Sequence, residues 1–261
     1  MKKKISLVCV AKEEDIYLQE WIDYHLKLGF DDIHIFQNEW RFSNPIPNKR
    51  VHFHEWDVKT YQSETDPIWV KNLQAKCYTD FSKNYCEEYE WAAFFDVDEF
   101  LVLKETNDVK KFIKNYDDYN CLIINWAIFC DNNIKTFDVR DCSLIKRFTK
   151  RWGSPHTDGW YQFKSICKLD ENMVHNTHWT TGEWVDPDFK VGNNVYNRNF
   201  NFNKAQLNHY YTKTYPEWVN KSKKSRCDTG IEGSLPISAF DINNFNDIED
   251  LNALHFLNST L

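Results

Sequence analysis

The chain has 261 residues and a formal net charge of -7, with 42% hydrophobic, 27% charged and 16% aromatic residues. That length supplies a core that folds without disulfide or metal staples, and the apolar and charged fractions exclude a disordered chain. The acidic balance leaves no basic face for nucleic acid, and no apolar run reaches the about 20 residues a membrane-spanning helix needs.

The opening Met1-Lys2-Lys3-Lys4 with Ile5 to Val10 has the outline of a secretory leader, but Lys12, Glu13, Glu14 and Asp15 follow at once without a small-residue cleavage site. Ile5 to Val10 is therefore expected as a buried first strand. Glu14 to Leu28 has helical spacing at Tyr17, Trp21, Tyr24 and Leu28, acidic residues in its first turn and Gly29 just past its end. Ile33 to Phe36 and Val51 to Trp56 are expected strands, with a Pro45- and Pro47-bearing loop between them. Ile68 to Tyr85 is a long helix with Pro67 near its start, and Trp91 to Phe95 is an uncharged strand. Val109 to Tyr116 follows as a helix and Cys121 to Phe129 as a fifth strand.

Unbroken apolar strands alternating with helices imply an α/β fold of one domain, a mostly parallel sheet flanked by helices. The second half is less regular: a helix over Cys142 to Phe148, strands at Phe163–Leu169 and Met173–Trp179, and a helix from Pro216 to Lys224. The 8 cysteines are scattered without a Cys-x-x-Cys pair, which reads as reduced, buried thiols of a cytoplasmic protein.

The chemistry concentrates where strand Trp91 to Phe95 runs into Asp96-Val97-Asp98-Glu99-Phe100. In an extended chain Asp96 and Asp98 share a face, and ligands of open parallel sheets bind beyond the carboxyl ends of the strands. Two carboxylates there make a hard-oxygen site for Mn2+ or Mg2+ with open positions for phosphate oxygens. The competing reading is an acidic turn that ends a strand.

Further residues bear on the choice. Lys12-Glu13-Glu14-Asp15 with Tyr17-Leu18, Glu20-Trp21-Ile22, Tyr24-His25 and Gly29 resembles the opening of glycosyltransferase family 92 and related family-2-like enzymes. The resemblance continues through Gln74, Cys77, Trp91 and the Asp96 to Phe100 box, then Trp126, Phe129, Arg147-Phe148-Thr149, Lys164, Ile166 and His178. It ends with Leu207-Asn208-His209-Tyr210, Lys213 and Lys221, so that it covers roughly residues 5 to 225. Two elements depart from the family pattern: Cys130-Asp131 stands where Gly-Ser is usual, and no Gly lies near Lys224.

The resemblance implies the Rossmann-like GT-A fold, a UDP-sugar donor, a divalent metal held by the Asp-x-Asp box, and inversion at the anomeric carbon. It divides the chain into a nucleotide-sugar-binding half over 1–100, an acceptor and metal half over 101–225, and a tail over 226–261. Asp96 and Asp98 are the expected metal ligands, with His178 or His209 as a further one. Ala11, Lys12, Glu14, Asn38 and Gln74 are placed at the donor with Asp96, and Lys213 and Lys221 at its diphosphate. The catalytic base is expected after the fifth strand: Asp141 at a helix start, with Asp131 and then Asp158 as rivals, although Asp is also a preferred helix N-cap. Trp160 and Trp184 are either sugar-stacking residues of an acceptor cleft or core aromatics.

The reading that follows is an inverting, metal-dependent hexosyltransferase, with galactose as the favoured sugar because the resembling family transfers it. Its acceptor is a glycan or lipid-linked saccharide, as in bacterial surface polysaccharide or lipooligosaccharide synthesis. The enzyme is expected in the cytoplasm, with Lys2, Lys3 and Lys4 available for peripheral contact with the inner membrane. A sugar-phosphate nucleotidyltransferase is the alternative, but Val10 to Glu14 lacks the glycine-rich loop it would carry. A non-enzymatic carbohydrate-binding module would not need the acidic pair.

Overall fold

The computed structural model describes residues 4–38, 41–43, 48–56, 72–138, 140–180, 182–224 and 235–259. Strand β1 (Ile5–Ala11) is buried at every position. It has parallel neighbours on both sides, β2 (Asp32–Asn38) and, beyond the edge strand β3 (Val51–Trp56) in sequence, β4 (Trp91–Phe94). Helix α1 (Leu18–Lys27) joins β1 to β2 and buries Trp21, Ile22, Tyr24 and His25. It stops at Gly29, whose φ of 102° lets the Phe30 N–H donate back to the His25 carbonyl. Helix α2 (Leu73–Tyr85) starts at Asn72, whose side chain accepts from the Ala75 N–H. It therefore begins later than the expected Ile68; Pro67, Pro45, Pro47 and Cys227 lie outside the described residues.

Past β4 the sheet departs from the expected mostly parallel arrangement. A turn leads into β5 (Glu99–Leu103), and after the short helix α3 (Val109–Ile113) comes β6 (Cys121–Phe129), a fully buried strand that serves two sheets. The chain then passes α4 (Leu144–Arg147), β7 (Lys150–Arg151) and β8 (Phe163–Lys168). With only four residues, α4 cannot form the covering helix of a right-handed crossover. β8 runs antiparallel, filling the space between β4 and the first half of β6. β9 (Trp184–Val185) and β10 (Val191–Gly192) extend this sheet. From Trp126 onward, β6 instead pairs in parallel with β11 (Ala205–Tyr210), which is antiparallel to β5. Five of the eleven pairings among the described residues are parallel, so the fold is mixed α/β.

The segment expected as a strand at Met173–Trp179 contributes only a bridge between His175 and Thr180. Val174 there is 52% exposed, so no buried face fixes it into a sheet. Helix α5 (Tyr215–Lys223) follows β11, and the C-terminal segment is woven into the rest. Its strand β12 (Ile248–Glu249) pairs with β7, and helix α6 (Asn252–Asn258) lies against α1. Lys27 of α1 donates to the carbonyls of Phe256, Leu257 and Ser259 at 2.8, 2.8 and 2.7 Å, capping the end of α6 with a positive charge. One apolar cluster runs from Ile5 to Phe256 through both sheets, and a second lies beneath α2. The described cysteines are free thiols, five of them buried.

A buried ion pair fixes α5. Arg147 donates to both oxygens of Glu217 at 3.2 and 2.6 Å, with side chains 5% and 8% exposed. The Thr214 N–H and hydroxyl donate to the same carboxylate at 3.0 and 2.5 Å, closing a capping box, and the Tyr17 hydroxyl adds another bond. Burial works to raise the Glu217 pKa, but these hydrogen bonds more than offset it and keep the carboxyl below its ordinary value.

Two stability measurements follow. Arg147→Met leaves Glu217 buried without its counter-charge and is expected to cost about 3–5 kcal/mol in urea unfolding. Adding Glu217→Leu to that variant should recover most of the loss. Lys27→Met removes the charged cap of α6 and should cost about 1–2 kcal/mol by the same measurement.

Candidate active site

A cavity of about 450 Å³ opens where β1 and β4 end and β6 changes partner. The acidic residues enter it from a hydrogen-bonded turn, not from an extended strand end. The Glu99 N–H donates to the Asp96 carbonyl at 3.0 Å, and the Asp96 N–H donates to the Glu99 carboxylate at 2.7 Å. Asp96 and Asp98 both line the cavity, with different partners.

Asp96 accepts from Gln74 Nε2 at 2.6 Å and from Lys164 Nζ at 2.9 Å. Lys164, on β8, has a fully buried side chain and lies 3.9 Å from Glu99. Burial presses the Lys164 pKa down, but Asp96 and Glu99 overcome it and hold the ammonium charged. Burial raises the Asp96 pKa, which Lys164 outweighs, so that carboxylate stays below its usual value. Glu99 goes the other way: burial lifts it well above the carboxylate range, and one of its oxygens has no hydrogen-bond partner.

Asp98 accepts from Lys213 at 2.7 Å and Lys221 at 3.2 Å, both on one oxygen. Lys213 lies just before α5 and Lys221 in its last turn, and the Arg147–Glu217 pair holds that helix. Lys213 sits at φ 54°, a left-handed conformation that is rare for a residue with a side chain. The other oxygen of Asp98 faces His209 Nε2 at 3.5 Å. Burial raises the Asp98 pKa, but Lys213, Lys221 and His209 drive it well below the usual value. Lys224 lies 3.8 Å from Glu14, whose pKa burial raises in spite of the nearby lysines.

Of the expected donor residues, Lys12, Glu14, Gln74 and Asp96 line the cavity, and Lys213 reaches it through Asp98. Ala11 and Asn38 are buried at the ends of β1 and β2 and are not lining residues. His178 and His209 both line it. The Trp126 indole packs against both rings, with centroids 5.1 and 4.3 Å away, but His209 alone of the two pairs with an aspartate.

The residues expected as base are elsewhere. Asp141 is exposed, and the N-cap role that competed with its reading as base belongs to Ser143, which accepts from the Lys146 N–H. Asp131 is buried and accepts from the Asn133 N–H and Asn246 Nδ2 at 2.8 Å each, so its carboxylate fastens a turn to the C-terminal segment. Asp158 is exposed and pairs with Arg198 at 3.2 Å. The tryptophans also resolve. A Cβ at Gly192 would fall 2.3 Å from the Trp184 ring, whose face is therefore covered. Trp160 stacks parallel to Trp152 at 6.5 Å, in a cluster of core aromatics. The aromatic residues that line the cavity, besides the two histidines, are Trp126 and Tyr211.

Lys164 and Lys224 received no role from the sequence. A lysine between Phe163 and Ile166 in an expected strand was the available signal, because a lysine is almost never buried without a paired charge.

The donor chemistry suits a divalent cation. Asp98 and His209 present an oxygen and a nitrogen 3.5 Å apart, too far for a good hydrogen bond and a spacing that two ligands of one small ion span. His209 Nδ1 is buried without a partner. Among the described residues no third His, Cys, Asp or Glu converges on this pair to complete a cage, so its remaining positions are open to water or ligand oxygens.

No curated protein sequence matches the chain. Among solved structures, it is similar to the mannosyltransferase Ktr4p from S. cerevisiae, at 13% identity and a TM-score of 0.32, covering 48% of this chain and 39% of that one. It is also similar to the WbbM bifunctional glycosyltransferase in its apo form, at 11% identity and a TM-score of 0.34, covering 48% of this chain and 23% of that one. The chain thus spans well under half of either protein. The pattern of one glycosyltransferase family extends over residues 5–246, nearly the whole chain, from the first residue of β1 to the loop before β12. The chain belongs to glycosyltransferase family 92.

Proposed function

We propose that the chain transfers a hexose, galactose first among the candidates, from a UDP-sugar to a hydroxyl of a glycan or lipid-linked saccharide, with inversion at the anomeric carbon. The observation that carries this reading is the convergence of Lys213 and Lys221 on Asp98 at the floor of the cavity. Such a cluster can exchange its ammonium groups between a carboxylate and the oxygens of a diphosphate. Lys12 and Glu14, just past β1, line the same cavity, and Gln74 on α2 donates to Asp96; this reading assigns them to the nucleoside and sugar.

Asp98 and His209, with Asp96 beside them, are the residues that would hold Mn2+ or Mg2+. A bound divalent cation supplies charge neutralisation for the departing diphosphate. The protein's own part is to place that diphosphate. Lys213, Lys221 and Lys224 face its charge, and the Arg147–Glu217 pair keeps α5 and its lysines in position. The acceptor oxygen attacks the anomeric carbon from the face opposite the diphosphate. The bond from that carbon to the phosphate oxygen breaks, and its electron pair stays with UDP. Trp126 offers an aromatic wall for a sugar ring. Synthesis of a bacterial surface polysaccharide fits this chemistry. Among the described residues no helix is long and apolar enough to cross a membrane, so a lipid-linked acceptor would be met at a bilayer surface.

The test is slow hydrolysis of a UDP-sugar panel with Mn2+ and with EDTA. One UDP-hexose, UDP-galactose by this reading, should be cleaved only with metal, and Asp98→Asn should lower the rate by at least about 100-fold. Metal-independent cleavage, or an Asp98→Asn variant as active as the parent, would overturn the assignment of Asp98. Absence of both cleavage and metal-dependent UDP binding would overturn the transferase reading.

A further inference from the structure

Cys121 opens β6 and Cys167 stands directly opposite it on β8, outside the lining of the cavity. Their sulfurs are 3.3 Å apart, and both residues are buried in the apolar cluster beneath α2. We propose that these two thiols are a modification site, an oxidisable pair that a peroxide closes into a disulfide fastening β6 to β8. The inference goes beyond the transferase reading and does not depend on it.

The strand ladder sets the geometry. The Lys168 N–H donates to the Asn120 carbonyl at 2.9 Å, and further along the same ladder the Trp126 N–H donates to the Gln162 carbonyl at 3.0 Å. Those residues hold hydrogen-bonded positions of the antiparallel pair, so Cys121 and Cys167, one step in from Asn120 and Lys168, hold a non-hydrogen-bonded one. Residues opposed in that way have Cα atoms about 4.5 Å apart with their side chains drawn close. A disulfide spans Cα separations of about 4.4–6.8 Å. Its S–S bond is about 2.05 Å long, so the sulfurs need to close by roughly 1 Å. Rotation of two side chains supplies that movement and leaves the ladder intact.

The two thiols are unequal. Cys167 Sγ–H donates to Cys121 Sγ, and this bond holds the Cys121 thiol below its ordinary value. Burial instead lifts Cys167 well above the thiol range. Cys121 is therefore the attacking sulfur and Cys167 the resolving one. Thr180 lies against both of them. It belongs to the segment from 173 to 180, whose sheet pairing among the described residues is the bridge from His175 to Thr180. A cover with so little pairing opens locally more readily than the strands beneath it, and the opening admits a molecule as small as hydrogen peroxide.

In balance, the Cys121 thiolate attacks one peroxide oxygen and the O–O bond breaks. The leaving hydroxide takes up the Cys121 proton as water, and Cys121 becomes a sulfenic acid. The Cys167 sulfur then attacks the Cys121 sulfur, the S–O bond breaks, and the second hydroxide leaves with the Cys167 proton. Two thiols and one peroxide thus give one disulfide and two waters, the sulfurs losing two electrons and the peroxide gaining them. A dithiol reductant reverses the outcome by exchange.

The experiment exposes the reduced full-length chain to hydrogen peroxide, alkylates the remaining thiols after unfolding, and maps the peptides by mass. A linked Cys121–Cys167 peptide should accumulate and return to two alkylated cysteines after dithiothreitol. The oxidised parent should melt about 5 °C or more above the reduced one. Cys121→Ala and Cys167→Ala should each abolish both the link and the gain. Cys86 and Cys142 are less buried, and their oxidation shows that the peroxide has acted. Their oxidation while Cys121 and Cys167 remain open to alkylation would overturn the proposal, as would Cys121 passing to sulfinic acid with no link formed. A linked peptide without a rise in melting temperature would overturn the fastening of β6 to β8. The map of the parent needs no substitution, so a variant that fails to fold leaves the test decisive.

Discussion

A lysine with no exposed side-chain surface governs the centre of this protein. Lys164 has to be charged or abandoned by its neighbours, because an uncompensated ammonium in the interior costs several kcal/mol, on the order of the penalty for any buried ion. It is satisfied by the carboxylate of Asp96 and by the Thr177 carbonyl, with Glu99 close behind. Those contacts pull the end of β4 into a turn, place Asp96 at the cavity, and bring the Thr177 segment over the same spot. The segment from 173 to 180 has almost no sheet pairing of its own, so this anchorage is part of what orders it.

The second constraint is the division of β6. Its residues up to Asn125 belong with β8, and those from Trp126 onward belong with β11. At the switch the Asn125 amide donates to the Tyr161 and Gln162 carbonyls, and it accepts from Asn197, filling the polar demand of a strand that leaves one ladder for another. The acidic turn spans the same gap, since β4 lies in one sheet and β5 in the other. The Tyr210 N–H donates to the Asp98 carbonyl at 2.9 Å, tying the turn to β11 one residue past His209. Two sheets that part at one line thus leave a cleft, and the backbone that crosses the cleft carries the acidic pair.

How legible this was depends on the range of each interaction. The first β1–α1–β2 unit and its Gly29 stop follow from local pattern, as do β6, β8 and α5. The signals that fix them lie within one element and its caps. The antiparallel insertion of β8 was not legible, because strand direction depends on a connection whose covering helix fails to form. Asp131 and Asp141 stand outside the cavity lining, and local pattern could not have shown it: an aspartate near a turn or helix start serves local backbone donors as readily as chemistry. Asp96 and Asp98 were legible as a pair. Their cations were not, because Lys164 lies 68 residues from Asp96 and Lys213 lies 115 from Asp98. Lys213 and Lys221 entered through family resemblance, and no periodicity could have paired them with one carboxylate oxygen.

The charge balance of the cleft explains why such a costly arrangement is retained. Lys12, Lys164, Lys213, Lys221 and Lys224 stand around Asp96, Asp98, Glu14 and Glu99, five ammonium groups against four carboxyl groups. Burial shifts Glu14 and Glu99 toward their neutral forms, whereas Asp96 and Asp98 are held ionised. The cleft therefore leans positive before any ligand enters, which favours a diphosphate over a neutral sugar. Two of the ammonium groups share a single oxygen of Asp98, an arrangement that Coulomb repulsion between them makes easy to open. On the function proposed above, a diphosphate would give one of them a new partner without stripping Asp98 of the other. The left-handed backbone at Lys213 and the clamped start of α5 hold this poised state in place. The left-handed turn at Lys213 and the buried Arg147–Glu217 pair thus hold two like charges on one carboxylate oxygen.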